Sequence, residues 1–268
     1  MITRKDLETR LNGILTATIT GEKKSQLHRF YSLKGDLYRY SFMNNMLIQA
    51  QGGTFCQNYN NWKKAGRYVK AGEKARISVL RPWIKKEEVK KVDPVTGEEK
   101  TELSEGAILG YFDALVFDIS QTDGKPLEYQ RNSEDSEAAR YEEIKAAALE
   151  AWPELKIREL FTGTARGWVD GNGEITISSA SNNADKIKTL LHEIAHHLLD
   201  HTKSSEARGQ KETEAEATAY LAALAIGFNP DLSDAYIDAW QAGQKDNVNT
   251  LRIMGTTERI LKGLKIAI

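Results

Sequence analysis

Apolar residues recur at helical spacing over 3–16 and 23–33, which predicts two short amphipathic helices, the second ending near Gly35. Tyr40, Phe42, Met43, Met46, Leu47 and Ile48 continue that rhythm, and Gly52-Gly53 closes the helix they predict. Residues 62–74 are turn-rich and basic, and lead into a strand over 77–80 that Pro82 should bound. Two further strands are expected on either side of the turn at 93–97, and 111–119 alternates as a strand. Residues 130–137 are polar throughout and read as a linker between domains spanning 1–130 and 138–268. Beyond it a helix over 138–151 is stopped by Pro153, and a hairpin over 168–177 turns at Asn172-Gly173. Helices over 184–201 and 212–225 follow. The pattern predicts an α+β protein of two domains with no internal repeat.

Composition narrows this further. A chain of 268 residues with 40% hydrophobic and 28% charged residues is a folded, water-soluble type. No apolar run approaches a bilayer span and the first residues carry no signal core, so a cytoplasmic location without a membrane is expected. Cys56 is the single cysteine, which excludes an intrachain disulfide and a thiolate zinc cluster. The net charge of −1 conceals a basic first half and an acidic second half. Residues 34–86 hold eleven Lys and Arg against only Asp36 and Glu73. Such a division predicts different partners for the two domains.

The chemistry concentrates on His192-Glu193-Ile194-Ala195-His196. Two histidines four apart on a helix lie one turn apart on the same side, so both reach one metal ion. Zinc suits imidazole, and three protein ligands leave a position for water; Glu193 is placed to act as that water's general base. Ile187, Leu190, Leu191, Ile194 and Leu198 form the apolar side that would pack this helix on a core. The segment 174–178 offers a strand for an extended peptide. A third ligand should come from Glu212, Glu214 or Glu216. Glu212 and Glu216 share a helix face, so Glu212 is assigned as ligand and Glu216 as the group orienting a histidine, with Glu214 the alternative ligand or else a solvated charge. His197 is rotated away from His196, and His201 falls at the helix end, where the dipole favours a cation; both are read as structural.

These residues resemble the zincin-type peptidase domain of the ImmA/IrrE group and of ArdC-like antirestriction proteins. The match runs through 192–199 and then 212–220, where the family's Glu-x-x-Ala-(Asn/Glu) pattern falls on Glu212, Ala215 and Glu216. The glutamate at the last position is closer to the ArdC-like branch. The first half resembles the ArdC-type single-stranded-DNA-binding domain through Phe42, Asn44, Leu47, Ile48 and Gln51. Further matching residues are Trp62, Gly66-Arg67, Val69-Lys70, Gly72-Glu73-Lys74, Pro82 and the stretch 117–122. The resemblance implies a hydrolase of the gluzincin kind joined to a DNA-binding module. Basic grooves with aromatic platforms bind single strands, and Arg39, Tyr40, Trp62, Lys63, Arg67, Lys70 and Lys74 are the expected contacts. Zinc, single-stranded DNA and an unidentified protein substrate are the expected partners, in plasmid or phage antirestriction biology. Two alternatives stand beside this reading: an ImmA/IrrE-like peptidase cleaving a regulatory protein, and a DNA-binding protein with an inert or structural zinc site.

Overall fold

The structure, a computed structural model, describes residues 4–19, 40–92, 99–126, 137–226, 228 and 248–265. The helix expected over 23–33, the turn at 93–97 and most of the linker at 130–137 lie outside them. In the first half, α1 (Arg4–Ile19) and α2 (Phe42–Ala50) are followed by β1 (Cys56–Gln57), α3 (Tyr59–Lys64) and β2 (Arg67–Val69). A long antiparallel pair comes next, β3 (Ile77–Val92) and β4 (Glu99–Asp118), then β5 (Thr122–Gly124). β4 is flanked by β1 and β3, while β2 pairs with β5.

The strand beginning at Ile77 does not stop at Pro82 as expected; it runs on, with Pro82 opposite Tyr111. β3 is an edge strand, and its outward N–H groups fall at alternate residues. Those of Ser78 and Leu80 donate to the side-chain oxygens of Gln51 and Asn44, whose amides donate back to the same residues' carbonyls. Pro82 is next in that outward series, where a missing N–H costs the ladder nothing. Asn44 and Gln51 therefore cover the edge that β3 would otherwise expose.

The second half contains α4 (Glu137–Ala151), β6 (Lys156–Leu160), β7 (Gly167–Val169), β8 (Glu174–Ser178), α5 (Asn183–Leu198), α6 (Arg208–Ala225) and α7 (Thr250–Gly263). β8 is central, parallel to β6 and antiparallel to β7. The β7–β8 hairpin forms as the Asn-Gly turn predicts, with Gly173 at φ 80 in the left-handed region. β6 and α7 were not expected from the sequence. β6 holds only two apolar residues, Ile157 and Leu160, too few for a period-two pattern, whereas α7 carries a clear helical stripe of Ile253, Met254, Ile260 and Leu261 in its own sequence.

One hydrophobic core runs through both halves. Leu7, Leu11 and Leu15 of α1, with Phe42, Met46 and Leu47 of α2, are buried together with Leu190 and Leu191 of α5, Leu221 of α6, and Ile253 and Ile260 of α7. α7 is the strut: it packs on α1 and α2 as well as on α4, α5 and α6. A second, smaller core of Tyr40, Ile48, Cys56, Ile77, Val79 and Val116 lies under the β-sheet of the first half.

Candidate metal centre and cleft

α5 starts at Asn182, whose side chain accepts from the Asp185 N–H, and its apolar stripe (Ile187, Leu190, Leu191, Ile194) is buried in the core. The helix is thereby fixed in rotation, which turns His192 and His196 to the opposite side. α6 packs along it, and the small buried residues Ala215 and Ala219 share the helix face of Glu212 and Glu216. Their size lets the glutamates of α6 approach the histidines of α5 closely.

The Nε2 atoms of His192 and His196 are 3.0 Å apart, and Glu212 Oε2 lies 3.4 Å from the first and 3.6 Å from the second. Four ligands at about 2.05 Å in a tetrahedron stand about 3.3 Å from one another. The three donor atoms therefore match three corners of a zinc-sized tetrahedron. Both imidazoles are mostly buried, while the Glu212 side chain is 51% exposed, leaving the fourth corner towards solvent. Glu216 sits behind the first histidine. Its Oε2 is 3.1 Å from His192 Nδ1, an ion-pair distance off the line of a hydrogen bond, and Lys188 approaches its other oxygen at 3.1 Å.

Burial alone would lower the basicity of His192, but the contacts from Glu212 and Glu216 outweigh it and hold the imidazole at about 9. Hydrogen bonds from the two histidines hold Glu212 well below the usual carboxylate range. Glu193 shows the opposite shift. Burial pushes its carboxyl up and Glu212 adds to this, against the pull of the two histidines and of the Val169 N–H. A base of raised pKa beside the open corner is what proton abstraction from water near neutrality requires. A cation entering the triangle must displace the His192 proton at pH 7. Zinc affinity, measured by chelator competition, should rise roughly tenfold per pH unit from pH 7 to 8.5; an affinity flat over that range would contradict the arrangement.

The site opens on a cleft of about 620 Å³ lined by Arg166, Gly167, Lys188, Thr189, Glu193 and Thr213 among others. The expected peptide-pairing strand at 174–178 is corrected here. β8 is paired on both sides and has no free edge; the strand at the cleft is β7, whose outer side faces α5. Gly167 makes that approach possible, since a Cβ there would lie 2.6 Å from the Thr189 methyl and from the Thr176 carbonyl.

Several other expectations are also revised. Glu214 is wholly buried, so it is not a solvated charge, and it points away from the triangle. The helix expected to run to His201 ends at Leu198, and His201 lies beyond it, buried against His196. His197, by contrast, is turned away from the triangle as expected, 3.2 Å from Glu154. Among the expected DNA contacts, Tyr40 and Trp62 are buried in the first half, and the Trp62 Nε1–H donates to the Phe117 carbonyl. The Arg67 guanidinium is buried too, donating to Thr122 and to the carbonyls of Gly124 and Lys125. These three are spent on the fold and cannot meet DNA. Arg39 lies outside the described residues. Lys63, Lys70 and Lys74 are exposed, as are Lys64, Tyr59 and Tyr68.

Fold and site together define a metallopeptidase-type helix pair joined through a shared core to an α+β module. Residues 21–113 match the N-terminal domain of anti-restriction factor ArdC, and residues 156–229 match the IrrE N-terminal-like domain of the M78 peptidase family. The chain is thus an ArdC-like protein, carrying an ArdC-type first domain and an M78 second domain. Crystal structures of the antirestriction ArdC protein from plasmid R388 share this fold end to end. The metal-free form is 20% identical with a TM-score of 0.55, over 97% of this chain and 95% of that one. The Mn(II)-bound form is 18% identical with a TM-score of 0.57, over 97% and 96%. No curated protein matches the chain. Among the described residues no helix is long and apolar enough to cross a membrane.

Proposed function

We propose that this chain is a cytoplasmic antirestriction protein that binds single-stranded DNA through its first domain and hydrolyses a peptide bond with a zinc ion held in its second. The donor triangle of His192, His196 and Glu212 beside the buried Glu193 carries the catalytic part. Two imidazoles among three donors favour zinc over the manganese found in the R388 structure, because manganese prefers oxygen ligands. When bound, the ion supplies a Lewis acid for the substrate carbonyl and makes water acidic near neutrality. Glu193 takes the proton from water and returns it to the leaving amine. The outer edge of β7 at Gly167 receives the substrate backbone as an added strand, and Lys188 with Glu216 keeps His192 in place.

Exposed charge and exposed rings support the DNA-binding part. Lys63 and Lys64 end α3, Lys70 and Lys74 follow β2, and Tyr59 and Tyr68 are 57% and 63% exposed on those same two elements. Lysines displace condensed counterions and unpaired bases stack on tyrosine. Because α1 and α2 share the core with α7, the test uses the full chain. Fluorescence anisotropy should show tighter binding to single-stranded oligonucleotides than to duplex. Lys63→Glu with Lys64→Glu should weaken binding to all sequences alike and flatten its salt dependence. Tyr59→Ala and Tyr68→Ala should narrow the preference for single strands. Equal, weak affinity for both forms would leave only a basic surface, and the DNA-binding reading would fail.

A further inference from the structure

His201 stands outside the donor triangle but touches it. After the C-cap of α5 at Leu199, Asp200 takes a left-handed conformation (φ 56) and turns the chain back under the helix. The His201 N–H donates to the His196 carbonyl at 3.0 Å, and the two rings meet with their Nδ1 atoms 2.9 Å apart. On its far side, His201 Nε2 lies 3.4 Å from Glu214 Oε2. Both residues are buried, Glu214 completely. Glu214 is held in turn by the Asn249 N–H at 3.0 Å, by Gln210 at 3.5 Å and by Arg252 of α7 at 3.2 Å. Arg252 also reaches Glu206 at 2.7 Å and donates to the Leu199 carbonyl.

The proton positions follow from these contacts. Two ring nitrogens at 2.9 Å share one hydrogen. His196 Nε2 faces the triangle and must be bare to hold an ion, so its hydrogen is on Nδ1 and His201 Nδ1 accepts it. The hydrogen of His201 then sits on Nε2, directed at the Glu214 carboxylate. Resting on the metal reading of the triangle, we infer that His201 and Glu214 are positioning residues for His196. They fix which nitrogen it offers and how its ring is aimed, with Arg252 anchoring the carboxylate.

His192 is braced differently, by Glu216 with Lys188 behind it. His201, Glu206 and Glu214 have the spacing of a second ion site. Arg252 already supplies the positive charge there, so that cluster is a brace and not a ligand set. The brace also makes α7, which packs on α1 and α2, part of the support of the metal ligand.

The test loads the full chain with cobalt(II), whose visible absorption reports ligand geometry independently of activity. His201→Gln can still reach Glu214 but offers nothing to His196 Nδ1. It should bind cobalt about 10- to 100-fold more weakly, with changed band positions and intensities and an unchanged far-ultraviolet circular dichroism spectrum. His201→Asn, whose side-chain oxygen falls where Nδ1 was, should recover much of the loss. Glu214→Gln, equal in shape, should shift the spectrum in the same sense, and it carries the test if His201→Gln does not fold. His197→Gln, beside the same ligand but facing away, should match the wild type. Folded His201→Gln or Glu214→Gln with wild-type affinity and spectrum would overturn the inference and leave the metal site standing. A wild-type chain that binds no cobalt would remove the metal site and the brace together.

Discussion

Glu193→Gln should retain the metal and the fold and lose hydrolysis by about 10²- to 10⁴-fold, the usual contribution of a positioned general base. Glutamine matches the carboxylate in shape and can still accept from the Val169 N–H, so the packing around residue 193 survives. What disappears is a buried carboxylate lining the cleft whose pKa is raised, the property that suits it to taking a proton near neutrality. Glu193 is not a corner of the donor triangle, so metal content should be unchanged. The assay is cleavage of a peptide library by wild type and variant at equal metal loading. Equal rates in the two proteins would move the chemistry elsewhere in the cleft.

The second large effect is on stability. Trp62→Ala should cost about 3–5 kcal/mol, the range for removing a fully buried aromatic side chain. The indole is wholly enclosed, stands edge-on to Phe55 at 5.6 Å, donates to the Phe117 carbonyl and has the Arg67 guanidinium 5.8 Å from its ring centre. Deleting it leaves a cavity beside Phe55 and strands the carbonyl and guanidinium it covered. Urea denaturation followed by circular dichroism measures this directly. A variant of wild-type stability that had lost single-stranded DNA affinity would restore Trp62 as a stacking platform, contrary to its burial.

Trp62 also shows where sequence reading reached its limit. Basic and aromatic residues interleave over 34–86, and composition alone does not separate a ring that stacks on a base from one that fills a core. Tertiary packing decides: Tyr40, Trp62 and Arg67 face inward, while Tyr59, Tyr68 and the lysines face out. Pro82 misled for a related reason, since a proline ends a strand only if its N–H belongs to the ladder, and edge position is a property of the sheet. The pair of glutamates on α6 was more legible because helical geometry is local. Four-residue spacing puts Glu212 and Glu216 on one face, and the structure brings both to His192. The role of Glu214 was not legible because two of its partners, Asn249 and Arg252, lie at the start of α7, far away in sequence. The brace behind His196 thus depends on a contact between α6 and α7 that no local pattern reveals.

X-ray absorption at the zinc edge of the purified full chain tests the central claim most directly. The account predicts one zinc per chain, with about four nitrogen and oxygen neighbours near 2.0–2.1 Å and the outer-shell scattering of two imidazoles. A chain that takes up no zinc, or a six-coordinate all-oxygen shell without imidazole, would contradict it.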